Sequence, residues 1–251
     1  MVTVLSLGGS IVAPETPDVE LLGRFVRSVQ RYLYEDASRK LIVVSGGGAP
    51  ARTYQNAYRA LRRSLSSPAC AKPAHEGDNQ EDRELYATAE HVELDWIGIM
   101  ATRLNAQLLK SLFGILCPNP VVYDPTAANV FSGQVLVAAG WKPGFSTDTD
   151  AVLLAERYSA KTVINLSDVA HVYTGDPRSD KDAKALTSLS WDDFLLLVDK
   201  EWVPGSHVPF DPVASVRAKK SGIQVICATG RDLPNLERIL NRQEFVGTTI
   251  G

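Results

Sequence analysis

Twice in this chain a continuous apolar run ends in glycine and opens into sequence with helical spacing. Val2-Thr3-Val4-Leu5 leads into Gly8-Gly9-Ser10, and Leu41-Ile42-Val43-Val44 leads into Gly46-Gly47-Gly48. Short apolar runs without alternation are strands buried on both faces, and such strands pair in parallel beneath helices. Glycine permits positive φ and lets a backbone approach a ligand closely. A strand that ends at the positive end of a helix offers free N–H groups to an anion. Two such turns predict a protein that holds phosphates at more than one point.

Bulk composition narrows the class. The chain has 251 residues, 45% hydrophobic and 22% charged, enough for one large α/β domain or two closely joined lobes. A formal net charge of −3 gives no bulk positive surface for nucleic acid, while a phosphate ligand needs only a few local cations. Cys70, Cys117 and Cys227 are far apart and form no CxxC pair, so unpaired thiols in a reducing cytoplasm are expected. His75, His91, His171 and His207 show no metal-ligand spacing. No serine elbow, Cys–His signature or Walker pattern ending in Gly-Lys-Ser/Thr occurs. Residues 1–12 carry no basic leader, and no apolar run approaches the roughly 18–20 residues of a membrane span. A soluble cytoplasmic protein without membrane contact is expected.

The periodicity places a strand over 2–7 and a helix from the Asp18 cap to about Tyr34, with Leu21, Leu22, Phe25, Val26, Val29 and Leu33 on its apolar face. A strand over 41–45 and a helix over 48–62 follow. Residues 64–84 combine turn formers and charges without apolar periodicity, which predicts a mobile surface insertion. One long helix over 84–113 takes Leu94, Ile97, Ile99, Leu104, Leu108 and Leu109 as its apolar positions. Val121-Val122 and Val135 to Ala138 read as strands. The second half gives a helix over 148–158, a strand over 162–166 and an excursion over 172–177. Helices near 190–198 and 211–221, a strand over 223–227, a helix over 233–241 and a terminal piece from Phe245 to Ile250 complete it. A lobe boundary falls near residue 145, and the termini are expected to share the sheet.

Several side chains can carry chemistry. Arg52 lies about one helical turn after Gly48, so its guanidinium either reaches back to the same anion or is a solvated helix charge. Asp95, in an apolar stretch, either accepts ligand hydroxyls or caps and pairs with Arg103. Ser146 or Thr147 caps the helix that follows Trp141-Lys142-Pro143-Gly144-Phe145, and the same end can hold an anion. Asp148 and Asp150 in its first turn favour the helix dipole, or orient Mg²⁺ or a cationic side chain. Asp168, Tyr173 and Asp176 suit a nucleoside pocket or an ordinary turn. Asp211, before Pro212, is a helix cap.

In order, these pieces resemble the amino-acid-kinase superfamily and, within it, the uridylate (UMP) kinase branch of archaeal-like type. The stretches that carry the resemblance are Leu7-Gly8-Gly9-Ser10, Val44-Ser45-Gly46-Gly47-Gly48 with Arg52, and Asp95-x-Ile97-Gly98-Ile99 with Arg103-Leu104-Asn105-Ala106. Lys142-Pro143-Gly144 with Ser146-Thr147-Asp148, Val172 to Pro177, Phe210-Asp211-Pro212 and Gly247-Thr248-Thr249-Ile250 extend it over nearly the whole chain outside 64–84.

The resemblance implies a three-layer α/β/α fold with an open, mainly parallel sheet, Mg²⁺-dependent phosphorylation of UMP by ATP, and a homo-hexamer. By position, Gly8, Gly9, Ser10, Gly48 and Arg52 would hold ATP phosphates, and Ser167, Tyr173 and Asp176 would border its nucleoside. Gly47, Asp95 and Trp141, Lys142, Pro143, Gly144, Phe145, Ser146 and Thr147 would bind UMP. Asp148 and Asp211 would organise Mg²⁺ and the catalytic cations, with Mg²⁺ held mainly through ATP phosphates.

Three positions depart from the family pattern. Ser6 stands where many members have a lysine, Ala170-His171 replace an acid and a glycine, and Trp141 replaces a small opening residue. Lys142, Arg217 and Lys219 are the candidates to restore the charge lost at Ser6. These departures keep two alternatives in view: a non-catalytic nucleotide- or oxyanion-binding storage homologue, and a kinase for another small acid or phosphate.

Overall fold

The computed structural model of the chain describes residues 2–65, 80–127, 130–177, 179–201 and 209–251. Its strands are β1 (Val2–Leu7), β2 (Lys40–Ser45), β3 (Val135–Ala138), β4 (Thr162–Ser167), β5 (Val172–Tyr173), β6 (Ala185–Leu186), β7 (Ser188–Leu189), β8 (Gln224–Thr229) and β9 (Thr248–Ile250). The helices are α1 (Gly9–Val12), α2 (Val19–Tyr34), α3 (Gly48–Leu65), α4 (Gln80–Phe113), α5 (Thr147–Arg157), α6 (Trp191–Glu201), α7 (Pro212–Lys220) and α8 (Leu233–Leu240). A seven-stranded sheet runs in the order β3-β2-β1-β4-β8-β9-β7. Within this sheet the pairs β1–β2, β1–β4, β2–β3, β4–β8 and β7–β9 are parallel, and β9 against β8 is antiparallel. First and last strands share this sheet, as the sequence predicts.

Alternate residues of each buried strand enter opposite layers, because the side-chain period of a strand is two. Leu5, Leu7, Val43, Val137 and Ile164 pack with Phe25, Phe113 and Leu236 on one face. Val4, Ile42, Leu136, Val163 and Val225 pack with Val152, Phe194 and Ala214 on the other. The result is the expected α/β/α sandwich with apolar material on both sheet faces. Asp18 caps α2 by accepting the Leu21 N–H, and Asp211 caps α7 by accepting the Ala214 N–H.

Three expectations need correction. Val121-Val122 is not a strand: Val122 makes one isolated bridge to Ala138 at the sheet edge. Leu104 does not join the core and is 70% exposed, in line with the exposed Trp96 and Met100 at four-residue spacing along α4. The flanks of the expected insertion are helical, since α3 reaches Leu65 and α4 begins at Gln80; residues 66–79, with Cys70 and His75, lie outside the described residues, as does His207. Cys117 and Cys227 are buried and unpaired. Among the described residues no helix is long and apolar enough to cross a membrane.

Candidate functional site

Strands β1, β2, β3, β4 and β8 all end on the same edge of the sheet. The chain builds β1, β2 and β3 outward in one direction and then places β4 on the other side of β1. Strand order therefore reverses beside β1, where an open α/β sheet leaves a crevice at its carboxyl end. Both glycine turns lie there and touch. A Cβ on Gly9 would lie 2.0 Å from the Gly48 nitrogen, and one on Gly46 would lie 2.3 Å from the Gly9 nitrogen. Gly48 also has φ of +68°, a left-handed conformation that favours glycine.

Asn105 sets the direction of the second turn. Its Nδ2 donates to the carbonyls of Gly46 (2.9 Å) and Gly47 (3.1 Å). In a trans peptide the N–H points opposite the carbonyl, so the Gly47 and Gly48 N–H groups face away from Asn105. The N–H groups of Gly9, Ser10, Gly47 and Gly48 have no backbone acceptor among the described residues. The Gly8 N–H donates to the Leu166 carbonyl at 2.9 Å, which seats the first turn on the end of β4; a Cβ on Gly8 would lie 3.7 Å from Ser167 Cα. Gly8, Gly9, Ser10, Gly47, Gly48 and Ser167 are thus brought together. Arg52 lies one turn into α3 and is exposed.

Beside the second turn, α4 anchors the loop 141–147. Gly98 lets α3 lie close to α4: a Cβ there would come 3.0 Å from Gln55 Nε2, which donates to the Leu94 carbonyl at 2.8 Å. Thr102 Oγ1 accepts the Gly140 N–H at 2.8 Å. Arg103 donates to the carbonyls of Gly140 (3.4 Å) and Trp141 (2.9 Å) and covers the Tyr123 ring at 4.4 Å. It does not pair with Asp95. That carboxylate instead accepts the Gly144 N–H at 2.9 Å, where Gly144 has φ of +83°. Between these anchors the Trp141 and Phe145 rings meet at 4.7 Å, and Lys142 Nζ lies 4.0 Å and 5.1 Å from their centroids. Ser146 caps α5 by accepting the Thr149 N–H at 3.1 Å.

Behind the loop lie three carboxylates. Asp148 accepts the Ser6 hydroxyl at 2.9 Å and the Asp211 N–H at 3.2 Å. Asp211 accepts the Ala214 N–H at 2.8 Å and the Thr149 hydroxyl at 3.4 Å, both on Oδ1. Burial pushes the Asp148 carboxyl up to about 6, against the pull of the Ser6 and Asp211 hydrogen bonds, and the charge of Asp211 adds to the rise. Asp150 is fully buried. Its Oδ2 accepts the Trp141 N–H at 3.1 Å, while Oδ1 has no partner. Burial pushes it up to about 7, with Asp148 and Asp124 contributing and the Trp141 N–H opposing.

Two of the three candidate replacement cations are committed elsewhere. Arg217 binds Glu156 through both Nε and Nη2, and Lys219 pairs with Asp192. Tyr173 and Asp176 belong to a separate hairpin, β5 with β6, which Val172 ties to β9 through a 2.8 Å bond to Thr248 Oγ1. His171 sets its ring edge-on to Tyr173 at 6.1 Å and leaves Nδ1 buried without a hydrogen bond. Asp176 closes the turn by accepting the Asp180 N–H on its carbonyl at 2.8 Å.

Sequence reasoning gave no role to Asn105, Thr102 or Arg231. Arg231 donates to the Ser10 carbonyl at 3.4 Å and lies 3.5 Å from Asp18, beside the first glycine turn. A signal for it existed, because Gly230-Arg231 follows the apolar end of β8 as Gly8-Gly9 follows β1. Asn105 and Thr102 lie on the buried side of α4, where a polar residue must find a partner.

Residues 1–229 match the family described as the amino acid kinase family. The uridylate kinase of Methanospirillum hungatei is 33% identical over 250 residues, covering 98% of this chain and 93% of that protein. The uridylate kinase of Thermoplasma volcanium is 34% identical over 251 residues, covering 98% and 96%. The crystal structure of uridylate kinase from Archaeoglobus fulgidus superposes with a TM-score of 0.76 at 30% identity, over all of both chains.

Proposed function

The chain belongs to the amino acid kinase family, and from that premise we propose that it transfers the γ-phosphoryl group of ATP to UMP, giving UDP and ADP. An oxygen of the UMP phosphate forms the new bond to the γ-phosphorus as the bond to the β-bridging oxygen breaks. Such a reaction needs alignment and charge neutralisation more than a covalent nucleophile. The observation that carries this reading is the direct packing of the two glycine turns, which brings together N–H groups from two strand ends that have no backbone acceptor among the described residues.

Gly8, Gly9, Ser10, Gly48 and Arg52 take the ATP phosphates, and Ser167, Tyr173 and Asp176 border its nucleoside. Gly47, Asp95 and residues 141–147 take UMP, while Asp148 and Asp211 face the transferring group. In this arrangement residues up to about 145 form an acceptor lobe and the remainder an ATP lobe of a single domain. Mg²⁺ neutralises phosphate charge and usually keeps several waters, binding through one or two carboxylates plus phosphate oxygens. No cluster of three or more metal-binding side chains exists among the described residues. Asp148 accepts the Asp211 N–H, and among the described residues neither carboxylate is paired with a cationic side chain, which fits an ion carried mainly by the nucleotide.

A homo-hexamer in the cytoplasm completes the proposal. The exposed stripe Trp96, Met100 and Leu104 on α4 supports self-association, since contiguous apolar surface marks an interaction face. Light scattering on the purified protein should give six times the chain mass.

Incubation with Mg-ATP and each nucleoside monophosphate tests the activity. UDP from UMP, well ahead of other acceptors, is the expected result; turnover of another acceptor with none of UMP contradicts it.

A further inference from the structure

The sheet end that is to receive two nucleotides is rich in carboxylates. Asp95, Asp148, Asp150 and Asp211 are held there by the Gly144 N–H, the Ser6 hydroxyl, the Trp141 N–H and the Thr149 hydroxyl, none of them a cation. Phosphates brought among these groups need positive charge beside them. Arg103 is spent on two backbone carbonyls, Arg217 on Glu156 and Lys219 on Asp192.

Lys142 differs from all three. It is exposed, and its ammonium rests on the faces of Trp141 and Phe145. Asp124 lies within its electrostatic reach, and that carboxyl is held low first by hydrogen bonds from Thr126. A cation on an exposed aromatic face is held more weakly than one hydrogen-bonded to phosphate. The loop backbone is pinned on both sides of the lysine, by the Trp141 N–H on Asp150 and the Gly144 N–H on Asp95. The flexible four-carbon stem can therefore swing while the backbone stays in place.

We propose that Lys142 is held in reserve on the Trp141 and Phe145 rings and moves onto the phosphate of the acceptor nucleotide, neutralising it during transfer. This rests on the reading of the protein as a UMP kinase. It makes Lys142 a catalytic residue, and Trp141 and Phe145 positioning residues that hold its ammonium until the acceptor arrives. The bulky residue at Trp141 then has a purpose that a small one could not serve.

The test compares wild type, Lys142→Met and Lys142→Arg by calorimetric titration with UMP and with uridine, and by UDP formation at saturating Mg-ATP. Wild type should bind UMP at least about tenfold more tightly than uridine, and Lys142→Met should lose most of that preference, keeping only what the backbone N–H groups supply. For Lys142→Met, kcat/KM for UMP should fall about 100-fold with an unchanged KM for ATP. Lys142→Arg should recover much of the UMP affinity. The exposed position makes an unchanged thermal midpoint the control for folding. Lys142→Met that matches wild type in UMP affinity and kcat/KM overturns the role of Lys142, while UDP formation by wild type keeps the kinase reading. Wild type that binds UMP without making UDP overturns the kinase reading alone, and the calorimetry then decides Lys142. Wild type that neither binds UMP nor makes UDP overturns both.

Discussion

The two walls of the crevice are made of different chemistry. Where β1 and β2 end, the chain offers backbone N–H groups from Gly9, Ser10, Gly47 and Gly48, packed so closely that side chains at Gly9, Gly46 or Gly48 would push the turns apart. Across from them, loop 141–147 with the starts of α5 and α7 offers carboxylates held by hydroxyl and amide donors, with Asp150 Oδ1 left without a partner. The first wall is neutral, fixed and cannot titrate. The second is charged, partly buried and holds two acids well above their ordinary range. An anion can settle on the first wall unaided. The second becomes productive only when cations come in with the ligand or swing in from the loop.

The contrast can be broken most severely at Gly9. In Gly9→Ala the new methyl meets the Gly48 nitrogen at 2.0 Å, against backbone that cannot rotate away. Urea unfolding should show a loss of roughly 3 kcal/mol or more, and near-wild-type stability would mean that the turns do not touch. On the other wall, Asp148→Asn should lower kcat by about 100-fold or more. Its thermal midpoint at neutral pH should not fall, because the substitution removes a charge that burial disfavours. Equal losses of stability and activity would make Asp148 a structural residue.

Asp150 gives the pH dependence. Its carboxyl is raised to about 7 in the folded chain, whereas an unfolded aspartate titrates near about 3.9. The contribution of its neutral form is fully present below the unfolded value and is lost as pH rises through the folded one. Between about pH 5 and pH 8 the loss should be on the order of 2 kcal/mol. Asp150→Asn should flatten that part of the stability–pH curve, and an unaltered curve would show that Asp150 is not the group responsible. The smallest effect is expected at Arg52, which is exposed. Arg52→Ala should weaken ATP binding by about 1–2 kcal/mol and leave stability nearly unchanged; equal losses in both would assign it a structural role.

Much of the first wall was legible in the sequence. Apolar runs ending in glycine announce strand ends, and the helix starts at Val19 and Pro212 could be placed because Asp18 and Asp211 are caps of well-defined chemistry. The contact between the glycine turns could not be read, because it joins residues far apart in the chain through backbone atoms alone. Asp95 was harder for a similar reason. Its possible partner on the same helix, Arg103, was visible, while its actual donor, Gly144, lies 49 residues further along the chain. Leu104 misled because helical spacing does not say which apolar residues face the sheet and which face outward. The strands β5, β6 and β7 have two residues each, too few for any period to show.

Phosphate occupancy of the paired glycine turns decides whether the protein works in this way. It is tested most directly by a crystal structure of the protein with UMP and a non-hydrolysable ATP analogue. Phosphate oxygens within about 3 Å of the N–H groups of Gly9, Ser10, Gly47 and Gly48 are the predicted result. Both nucleotides bound elsewhere, with those N–H groups facing only solvent or protein, would contradict the account.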